Sequence, residues 1–483
     1  VAEEFGYCYD QQNLGLSPEA ALRDLARRGS VLELKIFVLA VMIQRETGGN
    51  LSQLLDKRHD LIPGGAHTYS KGDDQFPEIT PKMVIRGNGA LVWGSDGKEY
   101  LDWCMGLRSV ILGHVHASVN DAVVRQMEEG TNFGRPHPIE FALADRLTAL
   151  LPGVEMVKFT KNGSTSTTAA TKLARAYTGK KIIACCADHP FFSYDDWFIG
   201  TTACDAGIPE DIKALTKTFR YNDFATLEKI FTDHPADVAC VIMEAVTIEE
   251  PKPDFLEGVQ ELCRQHGAVF IVDEMITGFR WHLLGASPQF RLSPDLVTYG
   301  KGIANGYSVS VLGGKKEIMK LGGLRHDAPR VFLVSTTHGA ETVSLAAALA
   351  TIDFMEANHV AEHLWEMGEK LKTGLLASIT KHRMEPFVSV VGFAPNLSLV
   401  CRDAAGNVSQ LMKTVLLQEV VKRGILFQGY FAISFSHGEA EIARTIQSFD
   451  ETFGELHRML NAGSDLKQEL VGEPCKPVFR KYN

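Results

Sequence analysis

The hydrophobic pattern of this chain changes period along its length. Over Pro18-Glu-Ala-Ala-Leu-Arg-Asp-Leu-Ala-Arg27 apolar residues recur at helical spacing, and Leu34 to Glu46 repeats the pattern until Thr47-Gly48-Gly49-Asn50 breaks it. From Met83 the period shortens: Met83–Arg86, Ala90–Trp93 and Glu99–Asp102 alternate as strands, the last two joined across the Asp96-Gly97 hairpin signal. Between about 115 and 350, short apolar runs alternate with helical stretches. The runs are Val157–Thr160, Ile182–Cys186, Val238–Met243, Val269–Val272, Leu296–Tyr299 and Val309–Leu312. Such runs are strands buried on both faces of a mainly parallel sheet, with helices packed on either side. A long helix is predicted from Ala340 to Ala357 and onward, residues 385 to 460 return to a mixed α+β pattern, and the tail past 461 is read as loosely held.

Three segments carry candidate chemistry. The run Leu296–Tyr299 ends in Gly300-Lys301-Gly302, a lysine flanked by glycines where a backbone must leave room for a ligand. A buried amine has a depressed pKa and condenses with an aldehyde, so Lys301 is a candidate nucleophile that fits a Schiff base with pyridoxal phosphate (PLP). An ordinary surface lysine at a strand end is the commoner occurrence, and Lys301 alone would favour it. Upstream, the buried run Gly267–Val272 ends in Asp273-Glu274, at the strand edge where open α/β sheets bind ligands. Asp273 can hold a proton on a pyridine nitrogen, which makes the ring an electron sink. The third segment is Asn162-Gly163-Ser164-Thr165-Ser166-Thr167-Thr168, between a strand and a helix closed by Gly179. Free N–H groups and the positive helix end would face a phosphate there, whereas plain N-capping accounts for only one of the hydroxyls.

The order phosphate turn, strand ending in Asp-Glu, strand ending in Lys resembles the class III, fold type I PLP-dependent aminotransferases. The wording is closest to the glutamate-1-semialdehyde 2,1-aminomutase group: Leu61-Ile-Pro-Gly-Gly65, Tyr100-Leu-Asp102, Ile111-Leu-Gly-His114, Asp273-Glu-Met-Ile-Thr-Gly-Phe-Arg280 and Pro294-Asp-Leu-Val-Thr-Tyr-Gly-Lys301. The likeness covers roughly residues 57 to 460. It implies an α/β fold with a mainly parallel large-domain sheet flanked by helices and a smaller α+β domain built from both chain ends. The expected divisions are a helical extension (1–56), the first part of the small domain (57–114), a PLP-binding large domain (115–355), the rest of the small domain (356–460) and a tail (461–483). Phe37 to Leu51 separately resembles part of the cytoplasmic helical domain of type II secretion F-type proteins. A natural fusion, a mis-joined reading frame and a coincidental amphipathic helix pair all account for it.

By motif, the resemblance makes Lys301 the Schiff-base lysine, Asp273 the ring-nitrogen partner, and Gly163 with Ser164 the phosphate cup. It places Thr337 where the neighbouring subunit contributes a phosphate contact, which implies a homodimer with shared sites. His189 stands where the family stacks a tyrosine on the ring, and Met275 replaces the usual valine on the opposite face. Glu244 is a nearby polar support. The substrate positions depart further: Lys71 replaces an expected arginine, and Leu107, with Arg108 beside it, replaces a tryptophan. Lysine binds a carboxylate as a point charge without the guanidinium fork, which weakens the case for glutamate semialdehyde itself. His67, Lys71 and Arg108 are the candidates for holding the substrate.

Composition narrows the classes. The 483 residues exceed one simple core, and 45% hydrophobic with 22% charged residues are ordinary globular values. A formal charge of −10 argues against a nucleic-acid partner. Nine cysteines without a Cys-x-x-Cys pair give neither a disulfide framework nor a zinc ribbon and suit the cytoplasm. The apolar stretch Ile36–Ile43 is too short for a bilayer, so no membrane association is expected. His114 and His116 lack a third ligand, and no metal is expected. The reading is a PLP-dependent aminotransferase that uses an amino donor and a keto or aldehyde acceptor on a polar small molecule. The alternatives are a true aminomutase, which moves nitrogen within one molecule, and a non-catalytic scaffold with a secretion-related helical segment.

Overall fold

A computed structural model describes residues 7–11, 16–28 and 57–482, and the chain divides into two compact units, 1–75 and 76–483. In the first unit the predicted helix forms over Pro18–Arg28, with Ala21, Leu22 and Leu25 packed around Cys8. Short 3-10 turns follow at Pro63–Gly65, Tyr69–Lys71 and Asp73–Gln75. Leu34 to Glu46, and the secretion-like wording from Phe37 to Leu51, lie outside the described residues.

The second unit opens with three antiparallel strands, β1 (Val84–Asn88), β2 (Leu91–Gly94) and β3 (Glu99–Asp102). Seven strands then build the large sheet: β4 (Met156–Thr160), β5 (Ile182–Cys186), β6 (Thr216–Phe219), β7 (Val238–Met243), β8 (Val269–Glu274), β9 (Leu296–Tyr299) and β10 (Ser310–Gly314). Their order is β4-β10-β9-β8-β7-β5-β6. All run parallel except β10, which pairs antiparallel with both neighbours. β6, Thr-Lys-Thr-Phe, has one apolar residue in four and gave no strand signal.

Alternation along the parallel strands sorts side chains to two faces. Ile182, Ala184, Cys186, Val241, Met243, Phe270 and Val272 join one core, and Ile183, Cys185, Cys240, Ile242, Val269 and Ile271 join the other. The second core is closed by Ala169, Ala170 and Leu173 of the helix Gly163–Thr178. By the same alternation Asp273 points to the face of that helix and Glu274 to the opposite one.

The chain ends in β11 (Val388–Val391), β12 (Asn396–Cys401), β13 (Ile425–Leu426), β14 (Tyr430–Ala432) and the helix Glu439–Asn461. β13 pairs parallel with β3, so residues more than three hundred apart in sequence complete one small sheet. The tail is docked, unlike the loose end expected: Val471 N donates to Gln418 Oε1 (2.8 Å), Cys475 N to Thr414 Oγ1 (2.8 Å), and Phe479 stacks against Phe191 at 6.4 Å. Its spaced apolar and aromatic residues find pockets that no periodicity announces. Among the described residues no helix is long and apolar enough to cross a membrane.

Candidate active site

The site forms where β4, β5, β7, β8 and β9 end on one edge of the sheet. β9 delivers Lys301, whose φ of 46° turns the chain sharply into the 3-10 turn Lys301–Ala304. Gly300 before it cannot be replaced without movement, since a Cβ there would lie 2.5 Å from Ser310 Oγ and 2.6 Å from Met275 Sδ. Asp273, buried on β8, accepts hydrogen bonds from Thr298 Oγ1 (2.9 Å) and the Met275 backbone N–H (2.9 Å) through Oδ1. Thr298 is its register partner on β9, so the parallel pairing that carries Lys301 also holds Asp273 in place.

Burial lowers the Lys301 amine from its ordinary value, while the charges of Glu244 and Asp273 pull it back up and Arg108 and Arg280 push it down. Asp273 is raised by burial to about 6, with the Lys301 cation opposing. Glu244 is raised to about 8, by burial first and then by the charge of Asp273, and its Oε2 has no hydrogen-bond partner among the described residues. These four side chains, Lys301, Asp273, Glu244 and Arg108, therefore share one electrostatic environment. Glu274 is spent elsewhere: its carboxylate accepts from Ala286 N, Ser287 N, Ser287 Oγ and Thr277 Oγ1 and fixes the following loop.

At the start of the helix Gly163–Thr178, Asn162 Oδ1 caps the Thr165 N–H (2.9 Å). The N–H groups of Gly163 and Ser164 keep no acceptor among the described residues, as the first turn of a helix requires. Ser164 Oγ accepts the Tyr194 N–H at 3.1 Å, which leaves its own proton available. The Met275 thioether lies against both Gly163 and Gly300, where a Cβ on either would come within 3.0 Å of its sulfur. His189 is buried, and its Nδ1 accepts the Glu244 backbone N–H at 3.0 Å. That bond puts the proton on Nε2, which has no partner among the described residues, and burial lowers the ring to about 3, so it is neutral.

Arg108 arrives by an unusual route. Met105, Gly106, Leu107 and Arg108 have φ of 41°, 58°, 59° and 73°, a single left-handed turn closed by Arg108 N–H to the Cys104 carbonyl at 3.1 Å. Each non-glycine residue in that region costs roughly 1–2 kcal/mol. The turn is held at both ends: Asp102 Oδ1 accepts the N–H groups of Cys104 and Met105, and buried Arg280 donates to the Arg108 carbonyl at 3.0 Å. Arg280 also donates to the carbonyls of Ile433 (2.6 Å) and Pro395 (3.3 Å), and burial with Arg108 nearby lowers it to about 9. Arg108 Nε donates to Asn396 Oδ1 at 2.7 Å, and its guanidinium lies 3.5 Å from the centroid of the Tyr430 ring. Sequence inspection missed Asn396, Tyr430 and the left-handed turn; Gly106 was the one local sign.

The other candidates have surroundings of their own. Thr337 is exposed, and its carbonyl accepts from Asn132 Nδ2 (3.3 Å) beside a cavity of about 270 Å³ lined by Phe133, Arg135 and His137. His67 and Lys71 belong to the first unit and are exposed there. His114 pairs with Asp102 (2.9 Å) and His116 packs edge-on against Phe354.

Glu244 gives a stability prediction. A carboxyl whose folded-state pKa exceeds its unfolded one keeps an extra proton in the folded state across the window between them, so stability is lost as pH rises through that window. For Glu244 the window runs from about 4.5 to about 8. Cofactor-free wild type is expected to lose stability relative to Glu244→Gln across that range, which urea unfolding at pH 5 and pH 8 would measure.

Residues 73–427 match the model of the class-III aminotransferases. Over 427 residues the chain is 31% identical to a glutamate-1-semialdehyde 2,1-aminomutase of Desulforamulus reducens, covering 83% of this chain and 96% of that one. An omega-transaminase from Sphaerobacter thermophilus superposes with a TM-score of 0.76 at 25% identity, over 86% of this chain and 99% of that one. The internal aldimine form of the FumI protein from Sphingopyxis sp. MTA144 superposes with a TM-score of 0.78 at 24% identity, over 87% and 99%.

Proposed function

Because this chain belongs to the class-III aminotransferases, we propose that it transfers an amino group from a donor to a keto or aldehyde acceptor with PLP held at the β8–β9 edge. The observation that carries the proposal is the convergence of one buried amine, one buried carboxylate and one helix start on that edge. The residues present fit the cofactor. Unpaired N–H groups at Gly163 and Ser164 suit a phosphate, Asp273 suits a protonated ring nitrogen, and the orphaned His189 Nε2–H and the Met275 thioether suit the edges and faces of a flat ring. When bound, PLP supplies an electron-withdrawing ring that takes up the charge left when a substrate carbon loses its proton.

The chain's own residues supply the proton handling. Burial favours the neutral form of Lys301, and a neutral Nζ would take the proton from the carbon that bears the substrate's nitrogen and deliver it to the cofactor carbon on the other side of that nitrogen. Asp273, held by Thr298 and the Met275 N–H, keeps its charge directed at the ring nitrogen. Glu244, rich in its protonated form, adds no second full negative charge next to it. Thr337 reaches the phosphate of the neighbouring subunit in a cytoplasmic homodimer.

The likeness to the aminomutase favours a second reading, in which donor and acceptor are one molecule. Enzyme loaded with pyridoxamine phosphate and given candidate acceptors separates the two. Sustained turnover only when a free amino donor is added is the expected result; rearrangement of a single compound without added donor would establish the aminomutase.

A further inference from the structure

Residues 470–482 form no helix or strand, yet they are fastened to two separate parts of the molecule. On the helix Gln410–Lys422, buried Gln418 donates to the Glu469 carbonyl (2.9 Å) and accepts the Val471 N–H (2.8 Å), and Thr414 Oγ1 accepts the Cys475 N–H. Beyond those anchors the segment reaches the loop after β5: Phe479 packs on Phe191 and Phe198, and the Cys204 thiol donates to the Arg480 carbonyl at 3.3 Å. Phe479 is also the outer member of a run of four rings. It meets Phe198 edge to face (6.4 Å, 78°), Phe198 meets Phe192 (5.6 Å, 88°), and Phe192 meets His189 (6.0 Å, 64°). Each spacing lies in the range where edge-to-face rings attract. The three inner rings are buried, and a close-packed interior transmits a displacement instead of absorbing it.

The His189 ring depends on that packing. Its hydrogen bond from the Glu244 N–H to Nδ1 fixes one point of the ring and leaves the tilt about that point to the neighbours, Phe192 and Tyr221 (5.2 Å). Tyr221 is held by its hydroxyl on the Ala245 carbonyl (2.7 Å). Phe192 is held by its backbone, whose carbonyl accepts from Thr167 Oγ1 (2.7 Å), but its ring rests on Phe198. Phe198 in turn is covered from outside by Phe479 and by Phe191, itself 47% exposed. We propose that Phe479 is a positioning residue for the cofactor site: through Phe198 and Phe192 it sets the tilt of the His189 ring and thereby the affinity for PLP. The proposal rests on the transaminase reading, in which His189 lies against the cofactor ring.

The test titrates PLP into the full-length protein stripped of cofactor and reads Kd from the visible absorption of the bound form. Phe479→Ala is expected to raise Kd roughly three- to tenfold, the weight of one aromatic pair, and Phe479→Tyr, which keeps the ring, to stay near wild type. His189→Ala alone should also weaken binding. Adding Phe479→Ala to it should then change Kd by less than about twofold, because residues that act through one another do not add. A role confined to stability would instead lower the urea midpoint of the cofactor-free protein and leave Kd where it was. A second perturbation needs no variant to fold: Cys204 is exposed while the other eight cysteines are buried, so N-ethylmaleimide on folded wild type places a bulky group against Arg480. The alkylated protein should bind PLP more weakly, Cys204→Ser should be indifferent to the reagent, and alkylated Phe479→Ala should lose nothing further. Borohydride reduction of wild type and mapping of the label to Lys301 checks the transaminase reading on its own; a wild type without that label would overturn both. With the label in place, an unchanged Kd in Phe479→Ala, an equal weakening by Phe479→Ala with and without His189, or an unchanged Kd after alkylation of Cys204 would overturn the positioning role alone.

Discussion

Replacing Lys301 with alanine is expected to lower turnover at least about a thousandfold while leaving the fold intact. In the proposed reaction the side chain serves both as nucleophile and as proton carrier, and acid–base function alone contributes about 10²–10⁴-fold. The position tolerates truncation because Lys301 begins a turn whose backbone contacts, Ile303 N–H to the Gly300 carbonyl and Asn305 N–H to the Gly302 carbonyl, do not use its side chain. Loss of the ammonium removes the charge that opposes burial at Asp273, so that carboxyl should move further above about 6. Single-turnover kinetics, with circular dichroism for folding, measure the effect. Added methylamine should recover part of the activity, since a free amine can enter the space and take up the proton.

Replacing Asp273 with asparagine is expected to cost about 10²–10³-fold in kcat, the range lost when one preorganised electrostatic contact is removed. Asparagine keeps an oxygen for Thr298 Oγ1 and the Met275 N–H and removes only the charge. The pH dependence gives an independent check. Burial holds Asp273 at about 6 in the cofactor-free protein, so the ionised form, to which the proposal gives the task of steadying a protonated ring nitrogen, declines as pH falls through that value. Wild type should therefore take up PLP more weakly below about pH 6, whereas Asp273→Asn should bind weakly throughout with little change over the same interval. Equilibrium titration from pH 5 to pH 8 distinguishes these patterns.

The parts of this architecture that were legible in the chain are those that depend on local pattern. Continuous apolar runs announced β5, β7, β8 and β9, because strands buried on both faces admit few polar residues. Their polar ends, Asp273-Glu274 and Gly300-Lys301, stood out for the same reason. β6 escaped notice because Thr and Lys outnumber its one apolar residue, although Thr216 and Phe219 are buried. The Met105–Arg108 turn escaped because three of its four residues disfavour the conformation they adopt, and the contacts that hold it come from Asp102, Arg280 and the C-terminal strands. Asn396 and Tyr430 lie about three hundred residues beyond Arg108, a juxtaposition created only by tertiary folding.

β4 touches the large sheet through β10 alone. During synthesis the strand leading into Gly163 and Ser164 therefore leaves the ribosome long before β10, its strand partner among the described residues, exists, and its edge stays open until residues 310–314 have emerged. Such long-range pairing forms slowly and exposes unpaired backbone in the interval. A nascent chain arrested before Ser310 would carry the amine, the carboxylate and the helix start and still lack the antiparallel wedge that fastens the first of these strands to the rest.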